Sequence, residues 1–213
     1  MALGLQDPWS VTDVRSDATP KETHFEALFK AGSRFACQSC GAADQPVHDT
    51  RQPSREHLRF FEHKAFIRSC VPRVACSQCG KTVQIIAPWA RSGSGFSQLF
   101  DVFVIALSRE MPVKTIADLF EVGDDRIWRV LDHYVPAARK PEDFSEVTAG
   151  GIDETAAQRG HNYIINGLIQ VAKARARGYR KLRNFILMVY LIAGNLSHLP
   201  ASPYRTTSGA IIE

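Results

Sequence analysis

The stretches Arg34-Phe-Ala-Cys37-Gln-Ser-Cys40-Gly41 and Val71-Pro-Arg-Val-Ala-Cys76-Ser-Gln-Cys79-Gly80 decide how the first half of this chain folds. Each holds a Cys-x-x-Cys turn followed by glycine. Such a turn aims two thiolates at one tetrahedral ion, and the glycine lets the backbone curl beneath the sulfurs. Two turns complete a four-sulfur set, so Cys37, Cys40, Cys76 and Cys79 are expected to hold structural zinc. A redox dithiol or a pair of disulfides are the alternatives. The first needs only one Cys-x-x-Cys beside a βαβ pattern, and the second is disfavoured in a reducing compartment. Cys70, the fifth cysteine, reads as a buried thiol in a strand.

The 35 residues between the two turns exceed the spacing of common zinc ribbons, so they hold an insertion. Leu58-Arg-Phe-Phe61 and Ala65-Phe-Ile67 look like the strands of a hairpin. His48, His57 and His63 also lie in this region, but four thiolates already complete the site, so each reads as a surface or hydrogen-bonding histidine. Upstream, Phe25, Ala27 and Phe29 alternate on one face, as a half-buried strand requires, and Trp9, Val11 and Val14 suggest its partner. Residues 1–91 thus form a β-rich unit with too little core to hold without metal. Zinc supplies on the order of ten kcal/mol to such modules.

Downstream, the Gly/Ser stretch Ser92-Gly-Ser-Gly95 reads as a linker. Phe96, Leu99, Phe100, Phe103, Val104 and Leu107 then recur at helical spacing, and Pro112 should stop that helix. A short second helix puts Val113, Ile116, Ala117 and Phe120 on one face. Gly123 marks a turn, and a third helix follows with Ile127, Val130, Leu131 and Tyr134 inward. Asp125, Arg126, Arg129 and His133 are left outside, and Pro136 is expected to end it. Two short helices joined by a tight turn fit a helix-turn-helix, whose second helix would enter a major groove. Glu121 stands where that turn usually has glycine, so a plain helical hairpin with a solvated charged face is the other possibility.

The charge distribution bears on partners. The 213 residues carry a net charge of +4, with 45% apolar and 23% charged residues, which excludes a fully disordered chain. Residues 155–213 hold 8 basic side chains against one acid, while 101–154 hold 6 against 12. Residues 34–91 are basic again, with 9 against 4. Two basic segments flanking an acidic one suggest a polyanion touched at more than one place. The longest apolar run, Phe185 to Gly194, is far short of the ~20 residues of a membrane span. The first residues show no signal-peptide pattern. A cytoplasmic, nucleoid-associated protein without a membrane partner is expected.

The chain resembles bacterial insertion-sequence transposases of the ISL-three family. The resemblance rests on an ordered set: Asp7-Pro-Trp-Ser-Val-Thr-Asp-Val14, the two cysteine stretches, Val47-His-Asp49 and His57-Leu-Arg-Phe-Phe61. It continues through Pro88-Trp-Ala-Arg91, Met111-Pro-Val113, Ile127-Trp-Arg-Val-Leu131, Gly151-Ile-Asp-Glu154 and Arg159-Gly-His161. It implies a zinc-binding N-terminal domain, a helix-turn-helix and an RNase-H-like core with an acidic triad that uses magnesium in the complete enzyme. After Gly160-His-Asn-Tyr-Ile164 the family continues through its catalytic core. Here Asn166-Gly-Leu-Ile-Gln170, Ala172–Arg180 and Asn184–Tyr190 resemble its C-terminal helices instead. The chain reads as the two ends of such an enzyme joined near Ile165.

That break bears on catalysis. Strand transfer needs three carboxylates holding two divalent ions. Asp153 matches the first, but residues 155–212 contain no Asp or Glu, and Glu213 is the last residue. Glu154 would point to the opposite face of a strand from Asp153. The chain is therefore not expected to catalyse transposition alone.

Expected organisation is multi-domain α+β. A zinc-binding N-terminal domain (1–91) and a helix-turn-helix segment (92–140) precede the first strands of a truncated RNase-H-like core (141–165, with strands over 147–153 and 161–165). Basic C-terminal helices (166–200) and a tail (201–213) follow. Leu168, Ala172, Leu182, Phe185, Ile186, Val189 and Ile192 form the apolar pattern of those helices. Arg126, Arg129 and His133 are candidate DNA contacts on the third helix. Lys173, Arg175, Arg177, Arg180 and Lys181 form a phosphate-contacting face or else a solvated one. The partner expected is double-stranded DNA at an element's terminal inverted repeats, with a second copy or a full-length transposase as further partners. An active transposase and a degenerate product without a selected role are the competing readings.

Overall fold

The computed structural model describes residues 3–140, 164–176, 181–194, 196 and 198–200. It is mixed α+β and divides into two compact units, Met1–Asp101 and Val102–Glu213. Asp153, Glu154, Arg177, Arg180, the strand expected over 147–153 and the 201–213 tail lie outside the described residues.

In the first unit, β1 (Trp9–Asp17) and β2 (Glu22–Phe29) form an antiparallel hairpin. Strand β3 (Val47–Arg51) follows the first cysteine turn, and β4 (Ser54–Phe60) and β5 (His63–Ser69) form the expected second hairpin. Strands β6 (Val71–Ala75) and β7 (Thr82–Gln84) flank the second cysteine turn. One sheet has the order β1-β2-β5-β4, with β2 and β5 parallel, and the other is antiparallel in the order β3-β6-β7.

Strand β5 ends at Ser69 and β6 begins at Val71, so Cys70 is the corner where the chain passes between sheets. It is half-buried there rather than buried within a strand, and its N–H donates to the Ala27 carbonyl at 3.3 Å.

Trp9, Ala27 and Ile67 from one sheet share a core with Val71 and Val74 from the other, joined by Leu5, Phe35, Ile85 and Trp89. The Trp9 ring lies 5.3 Å from Phe35 and 5.4 Å from Trp89. Strand β1 buries only Trp9. As an edge strand it leaves Val11 and Val14 exposed.

Residues 92–97 are not a loose linker. The Glu56 N–H donates to the Gly95 carbonyl and the Ser97 N–H to the Glu56 carbonyl, both at 2.9 Å. Ser97 Oγ lies 2.7 Å from His57 Nδ1 and accepts the Phe100 N–H, which caps helix α1 (Gln98–Glu110). Arg91 Nε donates to Asp101 Oδ2 at 2.8 Å, and the Asp101 side chain is fully buried. Val104, Ile105 and Ser108 share that covered face of α1, whereas Phe103 and Leu107 are only half-buried.

The second unit is helical in its described residues. Pro112 stands between α1 and α2 (Val113–Phe120), whose Val113, Ile116, Ala117 and Phe120 are all buried, as their spacing predicts. Helix α3 (Asp124–Arg139) buries Ile127, Val130 and Leu131, joined by Trp128 and Val135, while Tyr134 stays half-buried.

Pro136 does not end α3. Its ring removes one N–H from the helix, but Val135 and Ala138 continue the buried stripe, and the Arg139 guanidinium lies 3.4 Å from the Tyr190 ring centroid. These contacts outweigh the lost hydrogen bond.

Helix α4 (Ile164–Arg175) takes in the last two residues of the strand expected over 161–165. Ile165, Leu168, Ile169 and Ala172 recur at helical rather than alternating spacing, which accounts for the difference. Helix α5 (Leu182–Ala193) packs on α3 and α4 through Leu187, Met188 and Leu191 and leaves Leu182 and Ile186 exposed. Among the described residues no helix is long and apolar enough to cross a membrane.

Candidate metal centre and nucleic-acid interface

The four expected sulfurs converge. The Sγ atoms of Cys37, Cys40, Cys76 and Cys79 all lie within 4.8 Å of one another. Cys37 is 3.8 Å from Cys79, and Cys40 is 3.5 Å from Cys76. A tetrahedron with Zn–S bonds of ~2.3 Å has edges of about 3.8 Å. These separations fit that ion and are far longer than the ~2.05 Å of a disulfide.

The two turns are local copies of each other. Gly41 and Gly80 take φ of 77° and 67°, which a side chain would resist. Their N–H groups donate to the Cys37 and Cys76 carbonyls at 2.8 and 3.0 Å. The Ser39 N–H points at Cys37 Sγ and the Cys79 N–H at Cys76 Sγ, each at 3.4 Å.

These donors hold Cys37 below the usual thiol range, chiefly through Ser39, and draw Cys76 down to about 6, chiefly through Cys79. The Ala42 backbone pulls Cys40 the same way, but the hydrogen bond with Cys76 and burial outweigh it and push Cys40 up to about 12. Four thiols this close cannot all ionise without a cation among them, and soft sulfur donors suit zinc.

Sequence reasoning missed Gln45, a buried side chain that links the two turns. Its Oε1 accepts the Ser77 N–H at 2.9 Å and the Ser77 hydroxyl at 3.1 Å. The histidines stay clear of the metal cluster: His48 pairs with Asp49, and His57 is bound to Ser97.

The second candidate surface is the α2–α3 pair. Ile116, Ala117 and Phe120 are buried on α2, and Ile127 and Val130 on α3. Glu121 adopts φ 56°, ψ 44°, so the left-handed residue of the turn is a glutamate. Gly123, at φ −66°, is the ordinary extended N-cap of α3.

Arg129 is exposed, but its guanidinium is paired with Asp125, one turn earlier on the same helix. His133 is exposed beside the Tyr134 ring, and Arg126 is half-buried. Lys173 is exposed in the last turn of α4, Arg175 is half-buried there, and Lys181 is the exposed N-cap of α5.

Sequence reasoning also missed what α5 does to α3. Arg183 lies 2.5 Å from Asp132. A groove of about 470 Å³ runs between the helices, walled by Asp124, Asp125, Trp128, Arg129 and Asp132 on one side and Lys181, Arg183 and Asn184 on the other. The signal was one aspartate on α3 and the lone arginine of α5, and nothing in one dimension pairs them.

Comparisons with known proteins agree with this geometry. Residues 85–135 match the helix-turn-helix domain of transposase family ISL3, a span that ends inside α3. Over 162 residues the chain is 24% identical to the transposase for insertion sequence element IS1001 of Bordetella parapertussis, which covers 76% of this chain and 40% of that protein. The chain thus spans two fifths of the length of the curated relative it matches. No solved structure matches it.

Proposed function

We propose that this chain, which is similar to the ISL3-family insertion-sequence transposases, is a zinc-dependent DNA-binding protein that recognises an element's terminal inverted repeats without carrying out strand transfer itself. The observation that carries this reading is the α2–turn–α3 unit. Small and apolar residues meet across it, Glu121 supplies the left-handed turn, and the ISL3 helix-turn-helix match covers it.

In this proposal α3 enters a major groove with the face that carries Arg126 and Arg129 in its N-terminal half and His133 just beyond. Lys173, Arg175 and Lys181, with Arg177 and Arg180 of the same basic stretch, supply phosphate contacts that fix position rather than sequence. Zinc on Cys37, Cys40, Cys76 and Cys79 holds the β-rich module of residues 1–91 in one conformation.

The carboxylate count supports the non-catalytic part of this reading. Asp153 stands for the first acid of the remnant core, and the sequence from 155 to 212 offers no second or third. A duplex carrying the terminal repeats should shift this protein in a gel at a salt concentration where random duplex does not. Equal affinity for both would overturn repeat recognition. Magnesium-dependent cleavage of those ends, lost in Asp153→Ala, would overturn the non-catalytic assignment.

A further inference from the structure

We infer that the small cavity beside the corner between β5 and β6 is a phosphate site, built by Arg55, Ser69 and Trp89, that takes one phosphate of a DNA backbone. Every residue lining it lies between 53 and 92, so the site does not depend on the reading of α3.

Strand register places the first two groups. Arg55 of β4 stands opposite Ile67 of β5, and Ser69 follows two residues later, so all three share one face of the sheet. Ile67 is fully buried on that face. Arg55, on the outer strand, sits at the margin of the same core and is half-buried. Trp89 comes from the segment after β7, with its ring 5.4 Å from Trp9. Three segments distant in sequence thus line one cavity of about 40 Å³, room for about three water molecules or for the oxygens of one phosphate group. Gln84, Ile86 and Ser92 on its wall are exposed, so it opens to solvent.

Its polar groups are unmatched within the protein. Ser69 is 4% exposed and Trp89 2%, yet among the described residues neither Ser69 Oγ nor Trp89 Nε1 has a hydrogen-bond partner. Nε of Arg55 is buried and unpartnered as well, and the one bond of its guanidinium, to the Ser54 carbonyl, is long at 3.4 Å. Burial pushes Arg55 below the ordinary arginine range, with no carboxylate acting to raise it. Buried polar atoms are seldom left unsatisfied, and here three of them belong to residues around one cavity.

The donor set selects the ligand. Guanidinium and indole N–H groups can only donate, so what they hold must accept. No Asp or Glu lines the cavity, and its other cation, Arg91, is already paired with Asp101 at 2.8 Å. Arg55 therefore has its charge to offer to an anion. Donors arriving from three segments suit a tetrahedral oxyanion better than a flat carboxylate, and arginine matches phosphate in both charge and shape. The 9 basic against 4 acidic residues of 34–91 would draw a polyanion to this side of the chain.

The test uses the full zinc-loaded chain. Inorganic phosphate is titrated against acetate at constant ionic strength, following the indole N–H resonance of Trp89. Phosphate should move that signal saturably where acetate does not. Arg55→Ala should weaken the response about tenfold or more, and Ser69→Ala, which keeps the charge, about threefold. On duplex DNA, Arg55→Ala should lower affinity alike for repeat and random sequences and reduce the salt dependence by about one phosphate contact.

Near-ultraviolet dichroism of the Trp9–Trp89 pair checks that both variants stay folded; should Arg55→Ala lose it, Ser69→Ala decides alone. A phosphate response that the variants weaken, with their DNA binding unchanged, assigns the site to free phosphate rather than to the DNA backbone. A Trp89 signal that phosphate moves no more than acetate, with DNA binding unchanged in the variants, means a cavity that holds water only. That result overturns the site and leaves repeat recognition standing.

Discussion

Removing the metal should unfold the β-rich unit while the α2–α3 pair stays helical. The two cysteine turns have almost no core of their own: Cys37, Ala42 and Cys76 are buried there, with Cys79 and Val83 partly so. One alanine and one part-covered valine contribute at most a few kcal/mol of burial. Structural zinc contributes about 10–16 kcal/mol in comparable modules, against a whole-domain stability of about 5–15 kcal/mol. The metal term alone is as large as everything it supports.

The loss should also spread. Phe35 and Val74 each lie two residues before a zinc-binding turn, and both belong to the core that holds Trp9 and Trp89. The assay follows from those rings. Chelation should abolish the near-ultraviolet dichroism of the packed Trp9–Trp89 pair and shift tryptophan emission to the red, with the helical far-ultraviolet signal largely kept. Cys76→Ser should reproduce this without chelator, and Cys70→Ser should still bind one zinc per chain. A chelated, metal-free protein that keeps its near-ultraviolet spectrum would refute the reasoning.

Three other outcomes are expected. Asp101→Ala leaves Arg91 facing a buried void and should cost about 3–5 kcal/mol in urea unfolding of the zinc-loaded chain; a loss under about 1 kcal/mol would mean that the pair is structurally idle. Glu121→Gly relieves a left-handed backbone at φ 56° and should raise the melting temperature of the helical unit by a few degrees, about 0.5–1 kcal/mol, which thermal dichroism would detect. Acid should release the metal. The Cys76 thiol, lowered to about 6 by the Cys79 N–H, is a thiolate above that pH and takes up a proton as pH falls through it, so its contribution to zinc binding is lost downward. A chromogenic chelator should report zinc appearing below about pH 6, and full retention at about pH 4 would contradict this.

Much of the local structure was legible because its cause is local. A Cys-x-x-Cys-Gly turn is made by neighbours, and the α2 face Val113–Ile116–Ala117–Phe120 follows from 3.6 residues per turn. The errors came from partners distant in sequence. Ser92–Gly95 looks like a spacer until Glu56 bonds across it, and Pro136 looks like a stop until Tyr190 supports the turn beyond it. Helix α5 has two apolar faces in sequence. Its contacts with α3 and α4 chose Leu187, Met188 and Leu191 over Leu182 and Ile186, and periodicity cannot make that choice.

The bond from Cys40 through a metal to Cys76 would join points 36 residues apart. Strands β3, β4, β5 and β6 all lie inside that closed ring, yet β5 pairs with β2 outside it. A single ion thus acts as a topological staple across both sheets. By loop-closure entropy it would remove about 4 kcal/mol of freedom from the unfolded chain, whatever it gains in bonding. Lengthening the β4–β5 hairpin tip by several residues would enlarge the ring yet raise the staple's entropic advantage only slightly, because that advantage grows with the logarithm of ring size. Such insertions are where this architecture can grow without losing its closure.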